Sequence, residues 1–239
     1  MKKNLIFCGD IHGDIREIVW AITEKYNIKD TSIIFVGDFG VGFGRPNSLE
    51  ETYRKISKKL DKNNNTLYVL RGNHDDPSYF DGSYDGCFPR LNFLVDHKLI
   101  DIDGWSIYPI GGASSTDKEW RLKENDKQKH FGSSLRVWWE GERPDMTVDE
   151  FPVKVDVIIS HTSPSYFPPT NVRTEDESYE TYNDVCEERD YLSQVLTKIN
   201  AKYWFFGHFH QSLPGTFGKL FYKGLGIKEL FELRSDEEK

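Results

Sequence analysis

The hexapeptide GDIHGD, residues 9–14, follows directly on the apolar run Asn4-Leu5-Ile6-Phe7-Cys8. Such a run reads as a strand. On extended backbone alternate side chains share a face, so Asp10 and His12 are expected to present a carboxylate and an imidazole to the same side, as a chelate. Glycine at either end lets the backbone turn tightly and come close to whatever those side chains hold. A turn rich in Gly and Asp is also the ordinary way to leave a strand, so the hexapeptide alone leaves both readings open.

Working outward, further strands are expected near residues 4–8, 32–37, 66–70, 105–110, 155–160 and 203–206, with shorter returns at 220–222 and 230–233. Their ends repeat the pattern. The second ends in VGDFG (36–40) with Asp38, and the third in LRGNHDD (70–76) with Asn73, His74 and Asp75. Later come IISHTSP (158–164) with His161 and WFFGHFH (204–210) with His208 and His210. Five of the seven histidines lie at these exits. Ligands of open α/β sheets gather beyond the carboxyl ends of the strands, so residues this far apart in sequence can converge. Oxygen and imidazole donors without thiolates are the mixture preferred by divalent ions of the manganese, iron or zinc type.

Between the strands, Ile15, Ile18, Val19 and Ile22 follow the spacing of a buried helix face, with Asp14 expected as N-cap. Ser48-Leu49-Glu50-Glu51 reads as a capping box before Tyr53, Ile56 and Leu60, and Leu192, Val195, Leu196 and Ile199 mark a third helix. This order implies a layered α/β domain with mixed sheets, read as one domain over residues 1–233 with a flexible tail at 234–239. Residues 111–150 and 162–184 lack clear periodicity and are expected to form irregular functional rims.

The composition is that of a globular chain: 37% hydrophobic, 29% charged, with no apolar stretch of membrane-spanning length. The N-terminus enters a strand without a signal-peptide core, so a cytoplasmic location is expected. Three widely spaced cysteines, Cys8, Cys87 and Cys186, show no C-x-x-C pairing and are read as buried or neutral thiols. A net charge of −8 argues against an extended nucleic-acid surface but not against an anionic substrate at a metal site.

The ordered blocks G-D-x-H-G, G-D, G-N-H-D, H and G-H-x-H resemble the calcineurin-like metallophosphoesterase family, over residues 9–210. The resemblance implies a four-layer α-β-β-α sandwich with two divalent metals, Mn²⁺ first and Fe, Zn or Ni as alternatives. One would be held by Asp10, His12, Asp38 and His210, the other by Asp38, Asn73, His161 and His208, with Asp38 bridging. A two-metal site of this kind activates water and clamps the attacking and leaving oxygens. His74 matches the family's non-ligand histidine, a general acid for the leaving oxygen, and Asn73 would also touch the substrate. Asp75 is read as a loop-stabilising carboxylate or a catalytic one.

The chain also departs from the pattern. Protein Ser/Thr phosphatases of this fold continue the second block as G-D-x-x-D-R-G, whereas here Val41 stands in the aspartate's place. Arg45 is a candidate for a displaced phosphate contact, against the alternative of a plain loop arginine. Arg121, Lys123, Arg136 and Arg143 are candidates for the lining of an anionic groove, but Glu119, Glu124, Asp126, Glu140 and Glu142 alternate with them, and a solvated mixed-charge surface is the preferred reading. Tyr79, Phe80, Tyr84, Tyr166, Phe167, Tyr179 and Tyr182 either stack a nucleobase or pin the rim by packing. The expected function is a dinuclear phosphoesterase acting on a phosphodiester of a nucleotide or short oligonucleotide. A phosphomonoesterase on the same site and a non-catalytic scaffold of the same fold are the alternatives.

Overall fold

In the computed structural model residues 2–43, 47–171, 173 and 177–235 are described. In order they form β1 (Leu5–Cys8), α1 (Ile15–Trp20) continued by a π-helical turn (Ala21–Lys25), β2 (Ser32–Phe35), α2 (Ser48–Asn63) and β3 (Thr66–Val69). A 3₁₀ turn (Pro77–Tyr79), β4 (Leu91–Phe93), β5 (Ile100–Ile102), β6 (Trp105–Ile110), α3 (Lys118–His130) and β7 (Val157–Ser160) follow. The chain then runs through α4 (Tyr179–Lys198), β8 (Tyr203–Phe206), β9 (Leu213–Phe217), β10 (Leu220–Gly224) and β11 (Leu230–Leu233). One sheet has the order β11-β1-β2-β3-β4 and the other β5-β6-β7-β8-β10-β9. Both are mixed, with β1-β2-β3-β4 and β6-β7-β8-β10 parallel and antiparallel strands at the margins.

Strand alternation sorts the apolar residues into three cores. Ile6 and Cys8, Ile33 and Phe35, and Leu67 and Val69 face outward from the first sheet onto Ile15, Ile18, Val19 and Ile22, and onto Leu49, Ile56 and Leu60 of α2. Their neighbours Leu5, Phe7, Ile34 and Val36 face the second sheet and meet Ile107, Val157, Ile159 and Phe205. On its far side the second sheet packs Tyr108, Ile110, Ile158, Trp204 and Phe206 against Tyr191, Leu192, Val195 and Leu196 of α4. Three interfaces separate four layers, so the expected α-β-β-α architecture holds. Both faces of both sheets are covered, which is why the strands read as continuous apolar runs.

The structure corrects several local expectations. Asp14 occupies the N-cap of α1 without capping it by its side chain; its carboxylate meets Lys228 Nζ at 2.7 Å. Ser48 is the first residue of α2 rather than its cap, which falls on Asn47 with φ 63°. Within the segments read as irregular lie α3 and the first turns of α4, whose cap is Ser178 accepting from Thr181 N at 3.1 Å. The unread strands β4, β5 and β9 are all sheet edges, where one-sided pairing demands less apolar character and tolerates Pro214. Of the three free cysteines Cys8 is buried, Cys186 half-buried and Cys87 exposed. No helix among the described residues is long and apolar enough to cross a membrane.

Phe205 and Phe7 stack across the inter-sheet core with centroids 3.9 Å apart. Replacing Phe205 by Ala is expected to cost about 3–5 kcal/mol of unfolding free energy, read from the urea midpoint, because the packed sheets cannot close the space.

Candidate metal centre

β1, β2, β3, β7 and β8 are the strands that the five blocks follow, and beyond their carboxyl ends the blocks meet. Asp10 and Asp38 are 0% and 1% exposed. Asp10 Oδ2 lies 3.2 Å from His210 Nε2, and Asp38 Oδ2 lies 3.7 Å from His12 Nδ1. His12 Nε2 and His210 Nε2 approach to 2.9 Å, and the four residues offer ligand atoms all within 4.8 Å of one another. On the other side of Asp38, Oδ1 is 3.2 Å from His161 Nε2. Asn73 Oδ1 stands 2.9 Å from the same His161 nitrogen and 3.2 Å from His208 Nδ1. All seven candidate ligands are thus brought together, with Asp38 between the two groups.

The turn that gathers them differs from the strand geometry expected of Asp10 and His12. β1 has already ended at Cys8, and Ile11 N and His12 N both donate to the Asp38 carbonyl, at 3.1 and 2.8 Å. The chain therefore wraps around the exit of β2. His12, Asp38, His208 and His210 hold positive φ values of 45°, 50°, 66° and 55°, a strained region for side-chain-bearing residues that persists where the surroundings enforce it. The glycines of the blocks make room across the site. A Cβ on Gly37 would sit 2.1 Å from His161 Nδ1, and one on Gly207 2.2 Å from Asp10 Oδ1.

The donor set fits a cation. His161 Nδ1 donates to the Val36 carbonyl at 2.9 Å, so its Nε2 is the atom turned to Asp38 and Asn73. Ser115 Oγ donates to Glu142 Oε2 at 2.6 Å and accepts from Asn73 Nδ2 at 3.0 Å, which orients Asn73 Oδ1 toward the histidines. An imidazole lone pair, a carboxylate and an amide oxygen then face one another, and only a proton or a metal ion reconciles them. Without metal the proton serves: burial opposes charge on His161, but the Asp38 carboxylate outweighs it and lifts the imidazolium to about 9. Burial would likewise raise Asp38, yet the His161 charge holds it below the carboxylate range. His208 is pushed down to about 3 by burial and by His161, and bonding to Asp10 raises His210.

His74 stands at the mouth. Its backbone N donates to Asp38 Oδ1 at 2.8 Å, and its Nε2 lies 3.8 Å from Asp38 Oδ2. Phe43 stacks on the ring at 5.5 Å, and Arg121 Nη2 and Nη1 lie 2.9 and 3.3 Å from Nε2 and Nδ1. Burial lowers this imidazole to about 4, Asp38 opposing and Arg121 adding to the effect. Asp75, fully buried, accepts from the backbone N of Gly72, Phe39, Gly40 and Val41 at 2.7–3.2 Å. It therefore ties the second block to the third, as a loop-stabilising carboxylate.

Several of these residues escaped the sequence reading. Arg121 is buried against His74 rather than solvated, and Arg143 pairs with Asp184 and Glu187. Arg71 bonds Asp96 and the carbonyls of Gly111, Gly141, Glu142 and Arg143, anchoring the segment that supports Asn73. Most of the singled-out aromatics pack: Tyr79 stacks on Tyr84 and buried Phe167 on Tyr222, whereas Tyr182 lines a cleft beside His208 and His210. Arg45 lies outside the described residues. A hollow of about 490 Å³ lined by α3 and residues 133–140 touches none of the seven candidate ligands.

A calcineurin-like phosphoesterase profile matches residues 3–212. The chain belongs to that family. It is also similar to the serine/threonine-protein phosphatase 6 catalytic subunit of Caenorhabditis elegans, 27% identical over 113 residues, 46% of this chain and 33% of that protein. The match spans about a third of that relative's length. A phosphopantetheinyl hydrolase from Mycobacterium tuberculosis superposes with TM-score 0.49 at 13% identity, covering 100% of this chain and 98% of that one. Another solved structure gives 0.50 at 11% identity, covering 98% and 99%. The resemblance read from the five blocks is borne out, as is the α/β fold with two mixed sheets.

The wall behind Asn73 carries a testable charge. Ser114 N and Oγ donate to Glu188 Oε2 at 2.9 and 2.8 Å, and burial lifts this carboxyl from 4.5 to about 7 against those bonds. The folded state therefore keeps a proton that the unfolded chain has lost, and stability falls as pH rises from about 4.5 to about 7. Glu188→Gln should flatten that part of the stability profile in urea titrations at successive pH values. Curves that stay parallel to the wild type would contradict it.

Proposed function

We propose that this calcineurin-like phosphoesterase is a dinuclear metal-dependent hydrolase acting on a phosphodiester of a nucleotide or short oligonucleotide. The observation that carries the reading is the convergence, from both sheets, of acceptor atoms on Asp38, which only a proton or a metal ion reconciles. Asp10, His12, Asp38 and His210 would hold one ion, and Asp38, Asn73, His161 and His208 the other. When bound, such a pair lowers the pKa of water and stabilises charge on the phosphoryl oxygens. The ligand set contains nitrogen and oxygen donors only, which suits Mn²⁺, with Fe, Zn and Ni also accepted by such donors.

The protein's own part is positioning. Asn73 is oriented by Ser115 and Glu142, and Asp75 locks the loops that carry Asp38 and Asn73. His74 faces the space before Asp38 and is read as the general acid that protonates the leaving oxygen. An incoming phosphoryl oxygen favours the imidazolium that this role requires, offsetting the effect of burial. The diester preference is supported by a cleft of about 370 Å³ that opens on His208 and His210 and is lined by Thr116, Asn171, Tyr182 and Phe209. Its mix of aromatic faces and amide groups suits an organic ester arm. A phosphomonoesterase is favoured by a different observation, the Arg121 cation at His74, which suits the second charge of a terminal phosphate. The convergence of all seven candidate ligands speaks against a non-catalytic scaffold.

Chelated protein should lose activity and regain it with Mn²⁺, at two ions per chain by elemental analysis. On matched aryl esters, kcat/KM should be higher for the diester than for the monoester. The opposite order would reject the diester reading and promote the monoesterase, and one ion or none at saturation would overturn the dinuclear centre.

His74→Ala should retain metal and lose about 10²–10⁴-fold in rate on alkyl esters but much less on nitrophenyl esters, whose leaving group departs without a proton. Equal losses on the two substrates would remove His74 from the general-acid role.

A further inference from the structure

Arg121 projects from α3, a helix without an apolar stripe, yet its side chain is 8% exposed. Its Nε meets Asp117 Oδ1 at 2.5 Å and its Nη1 donates to the Val137 carbonyl at 3.0 Å. Val137 is itself fixed, since Val137 N donates to Asn125 Oδ1 at 2.9 Å while Asn125 Nδ2 donates to the Trp138 carbonyl at 2.8 Å. The guanidinium is therefore held by a carboxylate behind, with its Nη edge turned to the candidate centre. There its contacts are the ring nitrogens of His74, and His74 Nε2 is 3.8 Å from Asp38 Oδ2. Arg71 and Arg143, the other guanidiniums of this wall, are turned instead to Asp96 and to Asp184 and Glu187.

A guanidinium fork carries only donors and matches the oxygens of a phosphoryl group two at a time. A ring nitrogen is a poorer partner for that edge than an anionic oxygen. We propose that Arg121 binds the non-bridging phosphoryl oxygens of the substrate, as a fixed donor pair beside His74. The proposal rests on the phosphoesterase reading and adds to it the residue that grips the anion. It also gives α3 a purpose that its composition does not show: the helix and the 137–138 segment form a brace that holds the fork before substrate arrives. Preorganisation of this kind avoids the cost of ordering a long side chain on binding.

The test is inorganic phosphate binding to the Mn²⁺-loaded protein, followed by calorimetry in the wild type, Arg121→Ala, His74→Ala and the double variant. Arg121→Ala should weaken phosphate binding about 10- to 100-fold, the value of a charge-assisted hydrogen-bonded contact. The same loss should appear when His74 is already Ala, with metal content and circular dichroism unchanged. Arg121→Lys, which keeps the charge but not the fork, should recover only part of it. A loss below about threefold, or one that disappears in the His74→Ala background, overturns the assignment, the second result making Arg121 a support of His74 alone. Should Arg121→Ala not fold, the same criteria apply to Arg121→Gln. A wild type that binds no phosphate and hydrolyses no ester overturns the phosphoesterase reading and this proposal with it, a result distinct from unchanged binding in the variant alone.

Discussion

Asp38 carries a carboxylate that is buried where the strand ends of the two sheets face one another, and the rest of the site is arranged around satisfying it. Leaving such a charge unpaired away from water costs several kcal/mol. His161 from the second sheet, His12 from the first block and the backbone N of His74 all close on its two oxygens. The two sheets are thus joined at their shared edge by electrostatics as well as by the apolar core beneath. Because every partner is on a different segment, moving any one of them disturbs a charge that the others are also holding. That coupling is what gives the centre a single geometry in spite of four candidate ligands with strained backbones.

Outward from the carboxylate, order is passed along polar contacts rather than apolar ones. Asn73 is oriented by Ser115, Ser115 by Glu142, and the chain bearing Glu142 is tied down by Arg71, which lies two residues before Asn73. The path closes on itself. A closed path of satisfied donors and acceptors is stiff, because no member can turn without leaving another unpaired in a low-dielectric interior. Asp75 does the same for the opposite loop, spending both oxygens on four backbone N–H groups. On the His74 side the equivalent brace is α3 with Arg121.

Legibility differed between these layers for physical reasons. The central strands were readable because each is covered on both faces, and burial on both faces forces a continuous apolar run. Three of the four edge strands, β4, β5 and β9, were not, since pairing on one side leaves their composition freer, whereas the fourth, β11, still showed as a short apolar return. α1 and the later turns of α4 showed themselves by apolar spacing, whereas α3 buries Arg121 and exposes Trp120 and Leu122, so no stripe exists to find. The glycines of the blocks were visible, but the reason for two of them was not: Gly37 and Gly207 accommodate His161 and Asp10 from distant segments.

The donor inventory, its order along the chain and the family were decided by the sequence alone, because each block is a local event. A strand ends, the backbone turns, and a candidate ligand sits in the turn. The partners of those residues were decided only by the tertiary structure. Arg121 meets His74 across 47 residues, Asn73 meets Ser115 across 42, and Ser115 meets Glu142 across 27. Contacts of this kind leave no period in the sequence, since a buried polar side chain is stabilised by one matched partner rather than by a face of like residues. Arg121 looked like a surface charge because its surroundings in the chain are charged, and it joined His74 only when the segment after α3 and the third block closed on it.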